Sequence, residues 1–269
     1  MLLNLVSRLM RVRFTVTYAV TLATIATALV LHGPRARDRI VGEASTNLDN
    51  LRHGRLGTLL SSAFVVDSDT GPIYLWLPGL VCLLALAELL WHSGRLAMIF
   101  ATGHVGASLL VAAGLAEAVR FGWLPWSISF ARDVGMSYGA AAVLGALTAA
   151  IPRRWRPAWI GWWLSVAVGT SALCAEFTDV GHAVALVLGM LVAIRFGGST
   201  RWTPVRYLLL AVSVLFGFVV LAHTGVSIAV CAGLGAVGAL VADRVARRRV
   251  VRRAATVAAL VAGEPALTG

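Results

Sequence analysis

Apolar residues fall in long runs separated by short polar or basic stretches. The runs cover 14–32, 72–91, 96–119, 133–151, 158–176, 180–196, 204–223 and 225–242. Each is close to the ~20 residues a helix needs to cross a bilayer. The pattern therefore predicts eight membrane helices and an all-α, polytopic fold. The first run is too long for a signal-peptide core and has no clean small-x-small cleavage site, so it reads as a retained span. A further apolar piece, 58–66, is too short to cross. It predicts an interfacial or re-entrant segment, which is tolerated only against protein or a wet cavity.

Composition supports the membrane reading. Of 269 residues, 59% are hydrophobic and 13% charged, with a mean hydropathy of +0.83. A soluble domain carries about 25% charged residues. All 23 basic residues are arginine, and the net charge is +11. In a soluble chain that charge would suggest nucleic acid. Here its placement gives a topology instead. With the N-terminus in the cytoplasm, sixteen arginines fall on cytoplasmic segments and seven on outer ones. That is the positive-inside pattern with both termini cytoplasmic. The expected location is a bacterial plasma membrane. The expected partner is the lipid bilayer, with no nucleic acid.

Candidate chemistry sits at the openings of two runs. Asp133-Val134-Gly135-Met136-Ser137-Tyr138-Gly139 opens the fourth, and Asp179-Val180-Gly181-His182 opens the sixth. Both runs enter from the outer face in this topology. At 1.5 Å rise per residue, Ser137 and His182 lie about 6 Å and about 4.5 Å below their helix starts. A serine hydroxyl becomes a nucleophile only when a base takes its proton, and imidazole is the usual base. Asp179 stands three residues before His182 on the same helical face, and Asp133 stands four before Ser137. Either orients a partner or caps its helix. Gly135 and Gly139 clear the serine's face, or serve as a small-xxx-small packing pair. Glu88 and His104 read as structural hydrogen-bonding groups. Cys82, Cys174 and Cys231 read as small core residues. No cofactor motif or zinc-type ligand spacing appears.

Taken together, these residues resemble the rhomboid family of intramembrane serine proteases. The matching positions are Gly135-Met136-Ser137 on the fourth helix and His182 with Gly189 seven residues later on the sixth. Leu59-Leu60-Ser61-Ser62-Ala63-Phe64 is similar to the family's first outer loop, and Glu88 with Gly94 to the end of its second helix. The resemblance implies a six-helix core over 1–196. Residues 197–242 would then be an added transmembrane hairpin, and 243–269 a basic cytoplasmic tail. Two departures stand out. Tyr138 occupies the place of a glycine, and Pro72 and Trp76 occupy the places of the His and Asn that hold the oxyanion.

Two functions follow from the resemblance. The first is an intramembrane endopeptidase with Ser137 as nucleophile and His182 as base. It would cut single-span membrane proteins near the outer leaflet, with Gly135, Tyr138, Asp133, Asp179 and Gly189 in support. The second is a catalytically inactive relative that binds or escorts membrane-protein clients. A transporter would show an inverted repeat, and none is visible.

Overall fold

The apolar runs fold as helices. The computed structural model describes residues 10–67, 72–174, 176–196, 201–222 and 225–262. Arg8, Thr224 and the end of the tail lie outside these. Helix α1 is Arg13–Leu31. Three short helices follow in the first loop: α2 (Pro34–Ala44), α3 (Leu48–Arg52) and α4 (Thr58–Ser61). The next helical stretch, Ile73–Arg120, is interrupted at His92, whose φ of 68° takes it out of helical geometry. It divides into α5 (73–91) and α6 (93–120). Then come α7 (Ser137–Ala146), α8 (Arg156–Cys174), α9 (Phe177–Ala193), α10 (Pro204–Leu221) and α11 (Gly225–Ala262).

The architecture is all-α and polytopic, with no strand among the described residues. Met10–Leu31, Ile73–Arg120, Pro204–Leu221 and Ile228–Thr256 are long and apolar enough to cross a membrane, while α7 and α9 are shorter. Helix α7 can be short because it is central. Tyr138 through Ala146 are all buried, as expected for a helix that is apolar all round. It packs on α9, on the 73–120 stretch and on α10.

Small residues set these contacts. Without a hydrophobic driving force between helices in lipid, close backbone approach is the main source of attraction. A Cβ at Gly189 would run into the Ala142 carbonyl oxygen, and one at Gly145 into that of Leu186. Gly103 gives room to Ala142, and Gly139 to the Phe100 ring. Gly189 therefore has a packing reason to lack a side chain.

The last two helices extend this bundle. Phe216 of α10 sits in the notch at Gly79, and Leu144 of α7 fills the notch at Gly217. Helix α11 lies along α8, with Gly161 against Gly238 and Gly169 against Leu234. Buried Cys231 meets the Thr170 hydroxyl at 3.3 Å on the same seam. Helix α11 runs unbroken from its apolar part into the arginine-rich segment.

At the opposite end from the first loop, Glu88 closes the bundle. Its carboxylate accepts from the backbone N–H of Phe14 and Thr15 at 2.9 Å, from the Thr15 hydroxyl at 2.7 Å and from Ser93 at 2.6 Å. It thereby caps the free N–H groups that open α1, where a negative charge is also favoured by the helix dipole. Glu88 is 1% exposed.

Candidate functional site

The first loop folds inward over α6 and α7. Asn47 caps α3 through Asn50, and the Asn50 amide holds the carbonyls of Gly42 and Ser45. The apolar piece 58–66 dips against protein, and the Tyr18 hydroxyl donates to the Ala63 carbonyl at 2.6 Å. The loop is then laced to the segment before α7. The Ser45 hydroxyl accepts from the Asp133 N–H at 2.8 Å, Thr46 N–H donates to the Asp133 carbonyl at 2.9 Å, and Gly135 N–H donates to the Ser62 carbonyl at 2.8 Å.

A Ser–His hydrogen bond forms here between Ser62 and His104. Ser62 Oγ lies 3.0 Å from His104 Nε2, and Thr46 Oγ1 lies 2.8 Å from Ser62 Oγ and 2.9 Å from the Thr58 carbonyl. The three side chains form one buried relay, each at most 3% exposed. His104, read from the sequence as a structural hydrogen-bonding group, lies within hydrogen-bond distance of Ser62. Ser62 lies within the stretch Leu59-Leu60-Ser61-Ser62-Ala63-Phe64. Neither period nor spacing shows that this loop descends far enough to meet a residue 42 positions later.

The Gly-x-Ser segment takes a different shape from that read in the sequence. The expected helix start at Asp133 moves to Ser137, because Gly135 has φ 122° and cannot join the helix. That conformation suits glycine, so Gly135 is a turn residue. It does not share a helical face with Gly139. Ser137 is the first residue of α7 and is partly buried. His182 lies in the second turn of α9 and is 9% exposed. The equal depth deduced from run boundaries therefore does not follow from the observed helix starts.

Tyr138 occupies the space beside both histidines. Its ring meets His182 edge-on, with centroids 5.2 Å apart, and lies 6.4 Å from His104. A Cβ at Gly181 would collide with the phenol, so Gly181 is the notch that admits it. Asp179, three residues before His182, is 2% exposed and acts electrostatically on the same phenol.

Asp133 is buried in the segment leading to α7. Burial pushes its carboxyl up to about 7, while the nearby Tyr138 hydroxyl pulls it back. That hydroxyl stands close without reaching good hydrogen-bond geometry. A cavity of about 10 Å³ borders Asp133, Thr46 and Phe177. This is near the lower limit for one water and far below the room a peptide needs. Among the described residues, no group of three His, Cys, Asp or Glu side chains is placed to hold a metal.

A family model described as rhomboid-like protein matches residues 11–201. The chain belongs to the rhomboid-like family. No curated protein and no solved structure matches it. The match spans α1 to α9 and leaves α10 and α11 outside. In this rhomboid-like chain the residue after the motif serine is an aromatic wedge, and the polar groups at the mouth, where the first loop meets the start of α7, are tied to that loop.

Proposed function

We propose that this rhomboid-like protein engages membrane-protein partners, single-span proteins among them, without cleaving them. The observation that carries this reading is the position of Tyr138. A working dyad needs a histidine nitrogen about 2.6–3.2 Å from the serine oxygen. It also needs open space where the substrate carbonyl and its oxyanion would sit. Tyr138 fills the space beside His182, and Pro72 and Trp76 replace the expected oxyanion donors. Ser62 and His104 are within hydrogen-bond distance, but the Ser62 hydroxyl is buried and shared with Thr46.

A second reading keeps the protease, with Ser137 as nucleophile and His182 as base. One observation favours it. Ser137 opens α7, where the first backbone N–H groups lack helical partners and suit an oxyanion. Fluorophosphonate labelling in liposomes separates the two, with an active rhomboid labelled alongside. The expected result is no labelling of the wild type. Labelling that vanishes in Ser137→Ala overturns the non-cleaving reading. Labelling that vanishes only in Ser62→Ala would move the nucleophile to the loop.

A further inference from the structure

The richest unassigned feature lies at the arginine-bearing end, outside the family match. A cleft of about 600 Å³ opens between the start of α8 and the extension of α11. Arg153, Arg156, Arg249 and Arg253 line it, and no acid does. Among the described residues none of the four takes part in an ion pair; the nearby Asp243 pairs with Arg247 at 2.8 Å instead. Four positive charges thus face one space without a counter-charge.

Three of these groups are placed by the fold. Arg156 donates from Nε to the Ile151 carbonyl at 2.8 Å and from Nη2 to the Ala149 carbonyl at 2.5 Å. This fixes the guanidinium at the lip of the cleft. Arg249 and Arg253 are four apart on α11 and share one face. The same face carries Val245, and Pro157 and Ile160 oppose it from α8. The cleft is therefore basic at its rim and apolar along its walls.

Its depth in the membrane follows from length. Helix α11 has 38 residues, roughly 57 Å at 1.5 Å per residue, against a hydrocarbon core of about 30 Å. The arginines begin where the helix leaves the apolar part, and Trp155 beside Arg156 is exposed, as tryptophans at a membrane interface are. A ligand here meets headgroups on one side and acyl chains on the other.

We propose that this cleft binds an anionic phospholipid. The phosphate sits on Arg153, Arg156, Arg249 and Arg253, and an acyl chain runs along Pro157, Ile160 and Val245. Bidentate guanidinium–phosphate pairing suits arginine. A soluble phosphate would satisfy the arginines and leave the apolar walls uncovered. The assignment is independent of whether Ser137 reacts, because α11 contributes nothing to that site.

The test uses the full chain in phosphatidylcholine nanodiscs doped with phosphatidylglycerol, with retained lipid counted by native mass spectrometry. The wild type should retain phosphatidylglycerol in preference to phosphatidylcholine. The triple variant Arg153→Gln, Arg249→Gln, Arg253→Gln should weaken that retention at least ~tenfold, given the contribution of each arginine near a charged surface. Arg244→Gln, Arg248→Gln, Arg252→Gln removes equal charge from another face of α11 and should weaken it clearly less than the first triple does. Equal losses in both triples would mean diffuse surface charge and overturn the site. So would a wild type with no preference between the lipids. Displacement of phosphatidylglycerol by millimolar inorganic phosphate would make the ligand a free anion and overturn the lipid assignment. If the first triple does not fold, Arg249→Gln alone should weaken retention by about threefold, and no change would count against the site.

Discussion

Two buried polar clusters stand at opposite ends of the bundle, and they are built differently. At one end Glu88 accepts four hydrogen bonds and joins three chain segments. At the other, the Tyr138 hydroxyl and His104 Nδ1 have no hydrogen bond of good geometry. A buried polar group left unsatisfied costs about 1–3 kcal/mol. The bundle bears that cost at the mouth, beside the motif serine, and also at the indole N–H groups of Trp159, Trp162 and Trp163 on α8, but not at Glu88. The difference suggests that the Glu88 end fixes the fold. The mouth differs in that its poorly bonded groups stand together, with Tyr138 beside both His104 and His182.

Removing Glu88 should break the comparison most sharply. Glu88→Ala would leave the Phe14 and Thr15 N–H groups without their acceptor in an apolar surround. We expect a loss of about 3–5 kcal/mol, since each stranded donor costs about 1–3 kcal/mol, measured by denaturant or thermal unfolding in detergent. A loss under about 1 kcal/mol would mean that Glu88 is ornamental and the contrast false. At the mouth, Tyr138→Ala should cost about 3 kcal/mol by leaving a cavity where the ring stood. Tyr138→Phe keeps the ring and removes the poorly bonded hydroxyl, so its stability should stay within about 1 kcal/mol of the wild type. A large loss in the Phe variant would show that the hydroxyl is well bonded after all.

The helices were legible because bilayer crossing imposes a length and an apolar composition that no other fold shares. The same runs misplace α7, since hydropathy does not register the turn at Gly135. Glu88 was expected to tie its helix to a loop, whereas its hydrogen bonds come from Phe14 and Thr15 at the start of α1 and from Ser93. A residue's own surroundings in sequence say nothing of which helix end comes to rest beside it. Tyr138 was visible as a departure from the motif. Its role as a wedge became readable only with Gly181 in place, because a notch and its filler come from different helices. Ser62 was missed for a similar reason: a loop's depth is decided by contacts such as Tyr18 to Ala63, outside any local pattern.

The Ser62–His104 relay offers a smaller test. Ser62→Ala should cost about 1–2 kcal/mol, the range for losing one buried hydrogen bond and stranding its partners. A double-mutant cycle with His104→Ala should return a coupling of about 1 kcal/mol. Coupling near zero would show that the two side chains are neighbours without being partners. It would also return His104 to the pool of groups available for chemistry.

The finest contrast is in pH dependence, and Asp133 supplies it. Burial raises its carboxyl from the usual 3.8 to about 7. Arg132 beside it does not compensate, since it pairs with Asp67 and Asp38 on the exposed side. Between these two values the folded chain holds a proton that the unfolded chain has released. Stability should therefore fall as pH rises from about 4 to about 7, and flatten above that. Asp133→Asn removes this titration, so the difference in melting temperature between wild type and variant should drift in the variant's favour across the same window. A carboxylate with a good hydrogen bond from Tyr138 would give the opposite slope, gaining stability with pH. The sign of that one curve decides whether the mouth keeps Asp133 as a neutral acid, able to donate toward a partner's carbonyl, or as a charge held by the tyrosine.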